Sequence, residues 1–259
     1  MKDGKYLIGL DAGHGGSDVG AVSVMPNLTE AMLTLSLAKM VRDRLVKTGK
    51  FEVYMTREDD TSPGNASARG ILFGKMGVDF ALSIHFNAFN LESANGTECY
   101  VPNQEQYAKI EYNFSRYLTK YFKERVPYCK GKNYTDGSIN AKYIDDYNLK
   151  FKQTYPSQDY FGFIREAWKY GVSADLIEIC FITNKKDLET YLDNQENIAD
   201  DLARAICEAY GVKFESTVPN PPTGLPDEDS NNEEKIRELE KNLDELKVKL
   251  DKIKEIVSS

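Results

Sequence analysis

The chain has 259 residues, 41% of them hydrophobic, enough for one well-formed core with length left over for an appendage. Its formal net charge of -8 argues against nucleic acid as a partner, because phosphate binding needs a basic face. There is no basic, apolar and small-residue succession of the signal-peptide kind and no apolar run long enough to span a bilayer. The expectation is therefore a soluble protein made in the cytoplasm, without a membrane partner.

In chain order, residues 6–10 form an apolar run that reads as a buried strand, and Asp11-Ala-Gly-His-Gly-Gly-Ser-Asp18 makes a glycine-rich turn at its end. Open α/β sheets bind ligands at the carboxyl ends of their strands, so His14 stands where chemistry usually happens. Residues 31–46 have helical apolar spacing, which puts Glu30 in the first turn of a helix, where a glutamate is often only a favourable dipole partner. Residues 51–56 read as a second strand, 57–64 as a polar loop, and 66–76 as a helix carrying Arg69. The apolar run 78–84 is a third strand, and it delivers His85. For one histidine a satisfied structural role is the commoner one. Both histidines of the chain sit at strand ends, which shifts the balance toward metal ligands.

Residues 96–101 read as another strand and 107–125 as an amphipathic helix with Ile110, Phe114, Tyr117, Leu118 and Tyr121 on its apolar face. From 126 to 160 the pattern is irregular and rich in tyrosine. These rings suit sugar faces beside a cleft and equally suit covering part of the core. Order returns with a short helix at 163–168 and an apolar strand at 174–181 that contains Asp175 and Glu178. An isolated carboxylate there costs several kcal/mol, so it must be paired, next to a metal or at the strand's open end. A short helix at 188–192 and a final helix at 197–210 are expected to follow. Cys99, Cys129, Cys180 and Cys207 are scattered without a Cys-x-x-Cys pair, which indicates neither a thiolate zinc site nor a redox motif.

Residues 214–232 are rich in proline, asparagine and acidic side chains, a linker. Beyond it Ile236, Leu239, Leu243, Leu246, Leu250, Ile253 and Val257 alternate at three and four, a heptad seam. Self-association through 233–259 is favoured; docking on the first domain and binding another protein stay open. The division is 1–213, 214–232 and 233–259.

Four motifs in order, Asp11-Ala-Gly-His-Gly-Gly-Ser-Asp18, Glu30 opening a helix, Ser83-Ile-His-Phe-Asn-Ala88 and Ile177-Glu-Ile-Cys-Phe-Ile-Thr-Asn184, resemble the zinc-dependent N-acetylmuramoyl-L-alanine amidases of the amidase-3 type. The resemblance covers about residues 5 to 212. It implies an α/β fold, a single open and mostly parallel sheet with flanking helices, joined here to a C-terminal coiled-coil helix. It implies Zn2+ held by His14, Glu30 and His85, with Glu178 as the catalytic carboxylate, and bacterial peptidoglycan as substrate. Thr183 and Asn184 are expected to shape the strand end, and Asp11 and Asp18 to steady an imidazole or the glycine turn. Arg69 is expected to pair with acidic groups and hold the fold. A phage endolysin, reaching the wall after release, is the preferred setting. A leaderless or sporulation autolysin of the same chemistry and a non-catalytic wall-binding module are the alternatives.

Overall fold

The computed structural model describes residues 3–91, 94–102, 108–122 and 159–218. The compact unit takes in Met1–Val218. The second unit, Pro219–Ser259, which carries the heptad seam, and residues 123–158 of the tyrosine-rich stretch lie outside the described residues.

Five strands form one sheet in the order β2-β1-β3-β5-β4. They are β1 (Tyr6–Ala12), β2 (Phe51–Met55), β3 (Phe80–Asn87), β4 (Glu98–Tyr100) and β5 (Ser173–Phe181). All neighbours are parallel except β4, which runs antiparallel to β5 at the edge. The strands on either side of a parallel pair are joined by helical crossovers, which places the loops after β1, β3 and β5 together at one edge. The expected α/β architecture is the observed one.

The helices are α1 (Glu30–Lys47), α2 (Ala66–Met76), α3 (Ala108–Phe122), α4 (Gly162–Trp168) and α5 (Lys185–Ala209). Side chains of a strand alternate between faces, and the two faces differ. Ile8, Leu10, Leu82, Ile84, Phe86, Ile177 and Ile179 pack with Leu33, Leu37, Val41 and Leu45 of α1, Phe114 and Leu118 of α3, and Leu202 and Ile206 of α5. The opposite face packs Ala81, Ala174 and Leu176 against Phe73 of α2 and Phe163, Ile164 and Ala167 of α4. α2 and α4 approach closely because position 70 is glycine: a Cβ there would lie 2.3 Å from the Phe163 carbonyl oxygen.

Helix starts follow local chemistry. Thr29 caps α1 by accepting from Met32 N–H at 3.4 Å, and Asn65 caps α2 by accepting from Ala68 N–H at 2.9 Å. Asn184 caps α5 the same way, accepting from Asp187 N–H at 3.1 Å. Where two short helices were expected after β5, there is one of 25 residues. The polar run between Leu192 and Ile198 contains neither glycine nor proline, so nothing there breaks the helical bonds. Arg44 of α1 also reaches this stretch. It pairs with Glu196 Oε2 at 2.6 Å, donates to the Glu196 carbonyl at 3.1 Å and bonds Asp200. Asp200 in turn accepts from Ser216 Oγ and from Thr217 N–H at 3.1 Å, so the chain stays pinned to α5 beyond the expected boundary at 213.

Candidate active site

The loop after β1 carries His14 in the left-handed region, at φ 64, a conformation that a non-glycine residue adopts only when its surroundings impose it. Two glycines leave room for what the loop holds. A Cβ at Gly13 would meet the His85 ring at 2.4 Å, and one at Gly20 would meet Glu30 Oε2 at 2.6 Å. The loop therefore closes directly over the imidazole of β3 and the carboxylate of α1. The two imidazole rings lie edge to face with centroids 4.9 Å apart.

Glu30 is the centre of this group. Its Oε1 lies 3.2 Å from His14 Nε2 and 2.9 Å from His85 Nδ1, and accepts from Phe86 N–H at 3.0 Å. Its Oε2 accepts from Ala21 N–H at 2.9 Å. Burial works against the charged carboxylate, but the bonds to His14 and His85 outweigh it and hold the group well below its usual range. On His14 burial disfavours the cation, yet Glu30 and then Asp18 outweigh it, so its affinity for a proton is raised. Ligand atoms of His14, Glu30 and His85 all lie within 4.8 Å of one another, the one group of this kind among the described residues, and it can hold a metal ion. Two imidazole nitrogens and a carboxylate oxygen are the donor set of a three-ligand zinc site with a position left for water or substrate.

Around the three lies a frame that sequence reading caught only in part. Asp18 does both jobs expected of it. Its Oδ2 is 2.9 Å from His14 Nδ1, and its Oδ1 accepts from Gly20 N–H at 3.1 Å. Asp11 touches neither imidazole. It is fully buried and binds Arg69 Nε at 2.9 Å, Ser83 Oγ at 2.6 Å and Thr56 Oγ1 at 2.8 Å, so Arg69 does pair with an acidic group and ties α2 to β1. Arg57, placed by sequence in a solvated loop, is buried instead. Its guanidinium donates to the carbonyls of Ala12 (3.0 Å), Gly13 (3.1 Å) and Ala31 (2.7 Å) and to Thr34 Oγ1 (3.1 Å). One side chain thus grips the backbone just before His14 and just after Glu30.

Glu178 lies in register with His85 on the neighbouring strand β5, and Glu98 on β4 lies directly opposite Glu178. The three side chains stand in one cross-strand row on the α2 and α4 face, where the strand neighbours two positions away, Ser83, Leu176 and Tyr100, also point. The row brings the expected catalytic carboxylate one strand from His85, a member of the group that can hold a metal ion. Glu98 was not singled out from sequence. Its Oε2 accepts from Asn87 Nδ2 at 2.7 Å and from Tyr100 OH at 2.9 Å. Thr183 Oγ1 bonds the Phe89 N–H and carbonyl, each at 3.0 Å, which closes the turn after β5 onto the loop after β3.

Residues 8–209 match the N-acetylmuramoyl-L-alanine amidase family, a range that takes in every described strand and helix but for the first two residues of β1, and all residues of the site. The chain belongs to that family. An amidase from Neisseria meningitidis serogroup B is 38% identical over 99 residues, which are 38% of this chain and 23% of that protein. A germination-specific amidase of Bacillus subtilis is 34% identical over 107 residues, 36% of this chain and 44% of that protein. Among solved structures, the catalytic domain of an amidase from Bacillus (Paenibacillus) polymyxa var. colistinus is 27% identical, with a TM-score of 0.62, over 80% of this chain and 99% of that domain. The chain therefore spans under half the length of these two curated relatives but the whole of a catalytic domain.

Proposed function

We propose that this amidase-family chain hydrolyses the amide between the lactyl group of N-acetylmuramic acid and L-alanine of the stem peptide in bacterial peptidoglycan, using one Zn2+ on His14, Glu30 and His85. The observation that carries the reading is the convergence of those three donors beside Glu178 at the carboxyl edge of the sheet. Zinc, when bound there, supplies a Lewis acid that polarises the scissile carbonyl and makes water acidic enough to react near neutral pH.

The chain's own residues do the rest. Glu178 takes the proton from the attacking water and delivers it to the leaving amine of the alanine. Asp18 and the backbone N–H groups of Ala21 and Phe86 fix the orientation of His14 and of the Glu30 carboxylate. Arg57 keeps the two ligand-bearing segments in place. Purified peptidoglycan incubated with the zinc-loaded protein should release stem peptides with a free L-alanine amino group, and metal analysis should give one zinc per chain. Products cut between sugars, or within the stem, would overturn the reading.

We infer a bacteriolytic setting of the endolysin type, supported by a single catalytic unit followed by a proline-rich stretch and a heptad seam in 233–259 that suits self-association. Sedimentation of the full chain against one ending after Val218 tests the second part. Equal monomer masses would remove it.

A further inference from the structure

The row His85, Glu178, Glu98 orders the site in space. Neighbouring strands are about 4.8 Å apart, so the row measures roughly 10 Å from metal-binding imidazole to outer carboxylate. If the proposed reaction is run along it, the scissile carbonyl belongs at the His85 end and the leaving nitrogen within reach of Glu178. The peptide that continues from that nitrogen then passes over β4, the edge strand, where Glu98 stands.

A second carboxylate beside Glu178 is an electrostatically costly choice for this position. Like charges directly opposite each other on antiparallel strands are unfavourable, and Glu98 faces Glu178. Its own partners bind one oxygen only: Asn87 and Tyr100 both donate to Oε2, which fixes the plane of the carboxylate. Among the described residues Oε1 makes no hydrogen bond, and the side chain is half-buried. A rigidly held acceptor with one oxygen to spare, one strand beyond the general base, suits a peptide N–H.

We infer that Glu98 is a substrate-binding residue, and that its Oε1 accepts the backbone N–H of the second residue of the stem peptide, the amide that follows the alanine. The inference rests on the amidase reading above. Its chemistry predicts a preference for substrates in which a second residue follows the alanine through an ordinary amide.

The test is a cycle that removes the acceptor from the protein and the donor from the substrate. The full chain and its Glu98→Ala and Glu98→Gln variants, all zinc-loaded, act on a muramoyl stem peptide and on its analogue with an ester oxygen in place of that one N–H. The native chain should prefer the amide about 10- to 100-fold in kcat/KM, the range for a hydrogen bond to a charged group, mostly through KM. Glu98→Ala should lose most of that preference, and Glu98→Gln should keep an intermediate share. Zinc content of both variants should match the native chain, and Glu98→Gln, which keeps an acceptor for Asn87 and Tyr100, should match its melting temperature as well. An undiminished preference in Glu98→Ala, or a loss of zinc or folding that accounts for its rate, overturns the assignment. Failure of the native chain to cut the ordinary peptide is a different result: it defeats the amidase reading itself.

Discussion

The two faces of the sheet are built from the same strands and have different tasks. One face is apolar, from Ile8 and Phe80 through Ile84 and Phe86, but for the buried Asp175 of β5, and it carries three helices. The other begins apolar, with Leu7, Ala81 and Ala174, and turns polar toward the carboxyl edge, where Asp11, Ser83, His85, Glu178 and Glu98 follow. The lesson is that stability and chemistry are divided by face more than by strand. β3 supplies Phe86 to the core and His85 to the site from adjacent residues.

The comparison is open to breakage from either side. The largest effect expected is Glu178→Gln on the polar face. Hydrolysis per bound zinc should fall by about two to four orders of magnitude, the usual worth of general acid and base catalysis, while folding and zinc content hold. Leu37→Ala, fully buried on the apolar face, should do the reverse. Chemical denaturation should show a loss of about 2–5 kcal/mol, with turnover per folded, zinc-loaded molecule unchanged. Lost turnover in that variant would mean that the faces are not separable.

Asp18→Asn sharpens the same division within the site. It removes the charge beside His14 Nδ1, and competition against a chelator should show zinc held about 10- to 100-fold less tightly, with the fold intact. The smallest effect belongs at the other end of the apolar face. Burial opposes the charged form of Asp200, but Ser216, Arg44 and Thr217 outweigh it and lower its pKa below the ordinary 3.8. A carboxyl lowered on folding adds stability above its unfolded pKa and loses it as pH falls through the folded one. The stability gap between the native chain and Asp200→Asn should therefore be constant from neutral pH to about 5 and close below 3.8. A gap that stays open at lower pH would assign the effect to packing.

Much of this was legible before any coordinates. The alternation of apolar runs and helical spacing placed every described strand and every described helix but α5, which it divided in two, because each element's pattern is local. His14 and His85 stood out because both imidazoles of the chain sit at the ends of apolar runs, and Glu178 because a carboxylate within such a run is costly without a purpose; Glu30, in the first turn of a helix, was singled out only by the family resemblance. Glu98 did not stand out, since its meaning comes from antiparallel register with Glu178, and register between strands nearly eighty residues apart is not a local property. Arg57 was hidden by its neighbours Glu58, Asp59 and Asp60, which make the stretch look solvated. Its burial depends on backbone carbonyls that only the folded turn after β1 presents. The uninterrupted α5 was missed because a polar run resembles a break when no partner is in view, and the partner is Arg44 on another helix.

The grip of Arg57 bears on how the chain should respond when the proposed metal is taken away. The two ligand-bearing segments are tied together by backbone carbonyls, a buried hydroxyl and the Arg57 guanidinium, bonds that are made without any ion. Small metal-dependent domains collapse under chelators because ion binding is their folding energy. On the proposed reading the two should therefore be uncoupled, and chelation should be an erasable act: activity is expected to leave with the ion and to return with it, while the melting curve of the chelated chain stays that of the folded protein.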